Sequence, residues 1–287
     1  MNLLNDYPLL CPIDARPLHP EGRQLVCAAG HSFDLAKQGY VNLLPVQNKK
    51  SKSPGDSKAM VEARRAFLHT GAYDPIAAGL TKQVLALWSE ERGELCVLDA
   101  GCGEGFYLGA LAEALGGSES RANVKLLGVD ISKPAVVAAA KKYKEIAWVV
   151  GSNHQTLVPD GSQDVVLCLF GFPCFEVFSR ALKGGGKVLL ADAGPDHLIE
   201  LRGLIYPSVR RKPLPSMAEA ESLGFELVAS QRLRYSTRLR SQAAISDLML
   251  MTPHFFKAGR EGRQAVAGLT QLAVTVDVSF RVLSALR

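Results

Sequence analysis

Residues Leu98–Gly105, LDAGCGEG, carry the densest chemical signal in the chain. An apolar run through Cys96, Val97 and Leu98 ends at Asp99. Glycines follow at 101, 103 and 105, and a helical pattern opens near Tyr107. These residues predict a strand, a tight turn and a helix start. Glycine has no Cβ, so the turn can take left-handed torsions and a ligand can come close to the main chain. The leading acid and the Gly-x-Gly-x-Gly spacing differ from the dinucleotide fingerprint. The Gly-Lys-Ser/Thr ending of a P-loop is absent. One strand–helix unit later, Leu126-Leu127-Gly128-Val129-Asp130 closes a second apolar strand on an acid. A carboxylate there can accept from both hydroxyls of a ribose diol. Together the two halves fit a cofactor with a ribose and no pyrophosphate.

A second constellation lies near the start of the chain. Cys11 and Asp14 form one short pair, Cys27 and His31 another, and residues 15–26 separate them. Two such knuckles can bring four ligands round one zinc ion. Aspartate at 14 stands where a second cysteine is expected, and two thiolates, one carboxylate and one imidazole make a weaker site than three thiolates. Either these four hold zinc, or the knuckle is held by packing alone. His19 reads as a solvated residue of the intervening loop.

The elements that must position these groups follow from periodicity. Between Leu10 and Val46 proline and glycine recur too often for a long helix. Residues 46–58 are polar and basic, as in a loop or mobile linker. Met60 to Trp88 shows helical spacing broken at Thr70–Pro75, which predicts two helices. Strands are then expected at 96–100, 126–130, 147–151, 164–170 and 187–192. Helices at 107–115, 133–143, 174–182 and 196–204 alternate with them. Such alternation implies a parallel, doubly wound sheet with ligands at the carboxyl ends of its strands. Residues 225–235 and 273–283, separated by a helix around 243–251, supply a late antiparallel pair and a total of seven strands. The expected organisation is a zinc-ribbon-like unit (1–45), a basic linker with helices (46–90) and an α/β domain (91–287).

The chain has 287 residues, 47% of them hydrophobic, and a net charge of +5. That suffices for one large core and a small accessory unit, and it permits a nucleic-acid partner without requiring one. Six scattered cysteines do not form a secreted disulfide framework, so a reducing cytoplasm is expected. The opening residues lack the basic and cleavage features of a signal peptide. No stretch approaches the roughly 18 apolar residues of a membrane helix.

The glycine turn with its following acid resembles the S-adenosylmethionine (SAM) site of class I methyltransferases. Longer stretches are more specific. Cys11-Pro12, Cys27, HSFDLAKQGYVNLLPVQ (31–47), PGDSKAMVEARRAFLHTGAYDP (54–75), LDAGCGEGFY, VDISKPAVVAAAKKY (129–143) and GPDHLIELRGLIY (194–206) closely resemble the 23S rRNA guanine-N1 methyltransferases, the RlmA family. The resemblance spans nearly the whole chain and departs mainly at Asp14. It implies a Rossmann-like α/β sheet, SAM as cofactor, a zinc-ribbon-like domain that recognises RNA, and a cytoplasmic homodimer acting on a hairpin of 23S rRNA. By position in such a fold, the main chain at Gly101 and Gly103 would contact the methionine portion, with Asp99 at its amino group. Asp130 would take the ribose, and Asn153 and His154 would approach the adenine. Tyr73, Tyr107, Leu108 and His197 match positions that line the cofactor in the family.

Phe170-Gly171-Phe172-Pro173 follows the fourth expected strand. It lacks the Asp/Asn-Pro-Pro-aromatic run common in enzymes that methylate exocyclic amines. Phe172 and Pro173 are base-pocket candidates, since an aromatic face can stack on a flipped base, although Phe172 also suits a core. Cys174, without the flanking motif of cytosine-C5 enzymes, reads as a packed thiol. A basic track through Lys49, Lys50, Lys52, Lys58, Arg64 and Arg65, then Arg210, Arg211 and Lys212, would face RNA. A small-molecule methyltransferase and a SAM-binding RNA-binding protein without catalysis are the competing readings.

Overall fold

The computed structural model describes residues 3–48, 51, 53–88, 93–116 and 124–286. Strands β1 (Leu18–Glu21), β2 (Gln24–Cys27) and β3 (Ser32–Asp34) make a small antiparallel sheet, with His19 on β1 rather than in a loop. β4 (Tyr40–Asn42) leaves it and pairs in parallel with β7 (Ala147–Val150) of a larger sheet. That sheet also contains β5 (Leu95–Ala100), β6 (Val124–Asp130), β8 (Gln163–Leu169), β9 (Leu182–Ala193), β10 (Phe225–Leu239) and β11 (Leu272–Ala285). Its order is β10-β11-β9-β8-β5-β6-β7-β4, parallel from β9 to β4, with β11 antiparallel to both neighbours.

Every residue of β5 and β7 is buried, as expected of strands covered by helices on both faces. From β5 the chain moves through β6 to β7 on one side, then returns to place β8 and β9 on the other. The order reverses between β5 and β8, and a doubly wound sheet opens a crevice at the carboxyl ends of such strands.

The helices are α1 (Lys58–Leu68), α2 (Asp74–Leu87), α3 (Phe106–Leu115), α4 (Lys133–Lys142), α5 (Phe175–Ala181), α6 (Ile199–Ile205), α7 (Ala218–Ser222), α8 (Gln242–Leu250), α9 (His254–Lys257) and α10 (Arg260–Ala267). Serine caps α1, α4 and α8: the hydroxyls of Ser57, Ser132 and Ser241 accept from the main-chain N–H groups of Met60, Ala135 and Ala244. One apolar cluster joins α1–α4, α6 and α8 to the sheet, and a second joins α5 and α7 to the N-terminal unit.

That unit shares the large core. The Tyr7 hydroxyl donates to Gln163 at 2.9 Å, and the Leu10 and Leu43 N–H groups donate to the carbonyls of Leu157 and Val150. Packing therefore continues across residue 45, where a boundary was expected. Part of the expected mobile linker is docked as well. A Cβ on Gly55 would lie 2.9 Å from Ile131 and Ser132, and the Ser132 hydroxyl donates to the Asp56 carbonyl at 2.7 Å.

Candidate functional site

Asp99 is the penultimate residue of β5, just before the glycine turn. It is 1% exposed, and its Oδ1 has no hydrogen-bond partner among the described residues. Burial, reinforced by the charge of Asp130, raises its carboxyl to about 8. An orphaned carboxylate oxygen at a strand tip is the complement of a cationic donor. The chain leaves it through Gly101 at φ +100°, where a Cβ would meet nothing within 4 Å. The main chain here borders open space. Gly105 has a different reason: a Cβ there would lie 2.4 Å from the Trp148 ring. The spacing of the turn thus leaves open space at Gly101 and close packing against the core at Gly105.

Asp130 ends β6. Its Oδ2 accepts from the Gly103 N–H at 2.9 Å and its Oδ1 from the Ser132 N–H at 2.7 Å. Burial raises this carboxyl, while the two main-chain donors hold it down. Each oxygen keeps a second lone pair, so the group can still accept from a diol.

The opposite wall comes from the β9–α6 loop. Gly194 sits over Asp277 of β11, where a Cβ would approach the carboxylate to 2.4 Å. The N–H groups of Gly194 and Leu198 donate to the carbonyls of Asp277 and Thr275, with Leu198 at φ +53°. His197 is thereby fixed. Its Nδ1 accepts from the Asp277 N–H at 3.2 Å, and its Nε2 lies 3.1 Å from the Tyr73 hydroxyl. Burial lowers this imidazole to about 4, so it is neutral near pH 7. Phe170, at φ +54°, turns its ring against His197 (centroids 6.2 Å apart) and Tyr107 (6.1 Å).

The structure brings Tyr73, Tyr107 and His197 into this aromatic wall. It does not bring the side chain of Leu108, which is fully buried in the core and leaves only main chain to offer a ligand. Asn153 follows β7, and its Nδ2 donates to the Phe172 carbonyl at 2.8 Å, tying the ends of β7 and β8 together. His154 adjoins it, its N–H donating to the Ser152 hydroxyl. Phe172 is 86% exposed, which removes the core alternative, and Pro173 follows it on the same rim.

Arg64 does not belong to an RNA-facing track. It is held 2.5 Å from Asp56 and 3.6 Å from Glu104 behind the glycine turn. Arg211 is paired with Asp196 at 2.6 Å. Lys49, Lys50 and Lys52 lie outside the described residues. The sequence names Phe170 only as the end of the fourth expected strand, and Asp277 not at all. An acid interrupting the apolar run of Val274 to Phe280 was the available signal for Asp277.

At the other end of the chain's fold, the Cys11–Asp14 loop and the Cys27–His31 turn meet. The four ligand atoms lie within 4.8 Å of one another. His31 Nδ1 is 3.6 Å from Cys11 Sγ, 3.3 Å from Cys27 Sγ and 3.4 Å from Asp14 Oδ2, and Cys27 Sγ is 3.6 Å from Asp14 Oδ2. Tetrahedral zinc with bonds of about 2.0–2.3 Å separates such ligand atoms by roughly 3.3–3.8 Å. The donor set fits that ion.

A family model described as "RlmA, N-terminal" matches residues 9–52, and one described as "Methyltransferase domain" matches residues 97–190. The chain is 33% identical over 283 residues to the 23S rRNA (guanine(748)-N(1))-methyltransferase of Streptomyces fradiae, across 96% of this chain and 95% of that one. It is 30% identical over 278 residues to YxjB of Bacillus subtilis (strain 168), across 95% of each. Together with the α/β sheet and its N-terminal ribbon, this full-length likeness places the chain in the 23S rRNA (guanine-N1)-methyltransferase family.

Proposed function

We propose that this enzyme methylates N1 of a guanine in a hairpin of 23S rRNA, using SAM bound at the β5–β8 crevice. The observation that carries the reading is the full-length family relationship, which includes both the ribbon and the methyltransferase domain. SAM, when bound, supplies a sulfonium methyl group open to attack by a ring nitrogen. The chain's own groups bind and orient. Asp99 receives the amino group, whose charge favours the ionised carboxylate. The main chain at Gly101 and Gly103 lies along the methionine portion, and Asp130 accepts from the ribose. Tyr73, Tyr107 and His197 close the cofactor side as a neutral, largely apolar wall, with Leu108 contributing main chain.

Asn153 and His154 flank the adenine end, and Asn153 also holds the loop that presents Phe172 and Pro173. The exposed Phe172 ring offers a face on which a guanine can stack. Guanine N1 carries a proton that must pass to solvent before the nitrogen can attack. Positioning N1 in line with the methyl group supplies much of the acceleration, and a dry aromatic wall excludes water that would compete.

Cys11, Asp14, Cys27 and His31 would hold zinc. The ion would tie the Cys11–Asp14 loop to the β2–β3 turn and stiffen a ribbon that contacts RNA. The resemblance further implies a cytoplasmic homodimer. None of the described helices is long and apolar enough to cross a membrane. The test is transfer of a labelled methyl group from SAM to isolated 23S rRNA, with sedimentation of the active species to read its oligomeric state. Methylation of small molecules alone would favour the small-molecule reading. Binding of SAM and RNA without transfer would favour a non-catalytic one.

A further inference from the structure

The β10–β11 hairpin outruns the sheet. β9 pairs with β11 only from Val278 to Ser284, and Val278 stands opposite Ala193, the last residue of β9. Residues 272–277, with their partners 234–239 on β10, therefore project beyond the carboxyl edge of the parallel strands. Six residues of strand reach about 20 Å. This is the edge at which the cofactor crevice opens.

Side chains alternate across a strand, so residues 232, 234, 236 and 238 share one face of this arm. They are Arg, Arg, Ser and Arg, and Arg240 continues the alternation just past the strand end. The other face is covered by α2 and the turn before it: the Tyr235 hydroxyl donates to the Ala72 carbonyl at 2.8 Å, Gln231 meets Gln83, and Leu233 lies against Gly79. The arginine face is left open, and all four arginines are exposed. Near the site, Arg232 is bound to Asp277, and both Arg232 and Arg234 lie 3.7 Å from Asp196. Farther out, Arg238 and Arg240 form no ion pair among the described residues. They line a shallow groove of about 420 Å³ with Thr270 and Gln271. Two uncompensated guanidinium groups beside a hydroxyl and an amide make a polyanion surface, since guanidinium forks match phosphate oxygens.

We infer that this arm is an RNA-docking surface: Arg238 and Arg240 clamp phosphates of the substrate strand while its target base enters the crevice. The inference rests on the RNA reading above and adds the surface that engages the backbone. RNA is favoured over a second copy of the chain because the outer end of the face, Arg238 and Arg240, is cationic and without an ion pair among the described residues, and two such ends would repel.

The test is the double variant Arg238→Gln/Arg240→Gln, assayed on a 23S rRNA hairpin across a salt series. The expected result is a KM for RNA raised about tenfold, with the salt slope reduced by roughly 1.5. SAM affinity, melting temperature and kcat at saturating RNA should be unchanged. Arg238→Lys/Arg240→Lys should recover most of the loss. An active wild type alongside a double variant with unchanged KM and slope would overturn the docking surface, as would a changed sedimentation coefficient in place of a changed KM. A wild type that transfers no methyl group to rRNA would instead overturn the proposed function.

Discussion

The main-chain N–H of Asp277 donates to Nδ1 of His197 across 3.2 Å, which places the imidazole proton on Nε2, facing the Tyr73 hydroxyl at 3.1 Å. One ring is thus oriented by two residues, each far away in sequence, and it faces the Tyr73 hydroxyl as a neutral donor.

Burial holds both His197 and His254 at about 4, below the ordinary value near 6.5. Between those values the unfolded chain binds more protons than the folded one. Stability is therefore full above pH 6.5 and falls as pH drops toward 4. Thermal melting should show that decline, and the His197 ring resonances should not titrate above about pH 5. A His197 midpoint near 6.5 would contradict the buried, neutral assignment.

Asp99 behaves in the opposite sense. With its carboxyl at about 8 in the free protein, a cationic ligand must displace a proton to bind the carboxylate. SAM affinity should rise as pH increases toward 8 and fall again above it, where the ligand's own α-amino group loses its proton. Asp99→Asn should remove that dependence and weaken binding about ten- to a hundredfold, the worth of one charge-assisted hydrogen bond. Calorimetry at several pH values reads both outcomes, and a flat profile for the parent protein would remove Asp99 from the site.

Asp130 has a double duty. Asp130→Ala removes the proposed diol acceptor and also leaves the Gly103 and Ser132 N–H groups without their partner. SAM binding should weaken about ten- to a hundredfold, from roughly 1.5–3 kcal/mol, with a lowered melting temperature as well. Unchanged affinity would sink the ribose assignment.

The ribbon should carry close to one equivalent of zinc when the protein is prepared without chelators. Asp14→Cys should bind it more tightly, because a third thiolate suits the ion better than a carboxylate. Elemental analysis that finds no metal would leave the knuckle held by packing, with the methyltransferase site untouched.

Much of this was legible in the sequence because it is local. The apolar runs of β5 and β8, the turn from Asp99 to Gly105 and the spacing of Cys11, Asp14, Cys27 and His31 depend on residues close together in the chain. What was not legible depends on distant partners. β4 has only three residues among turn-formers, and it is a strand only because β7 offers it an edge. Arg64 sits in a basic stretch, yet its direction is set by Asp56 and the buried Glu104, and no local pattern reports that. Phe170 extends an apolar run that reads as strand to its last residue, but the chain turns there to a positive φ and swings the ring toward His197. Leu108 follows Tyr107 by one residue, about 100° further round α3, and so faces the core.

The central claim is the position of the methyl group. 23S rRNA incubated with the enzyme and SAM should stop reverse transcriptase at a single guanine, because a methyl on N1 blocks Watson–Crick pairing. Digestion should release 1-methylguanosine from that site. Read-through at every guanine, or a methyl recovered on an exocyclic amine, would contradict the account.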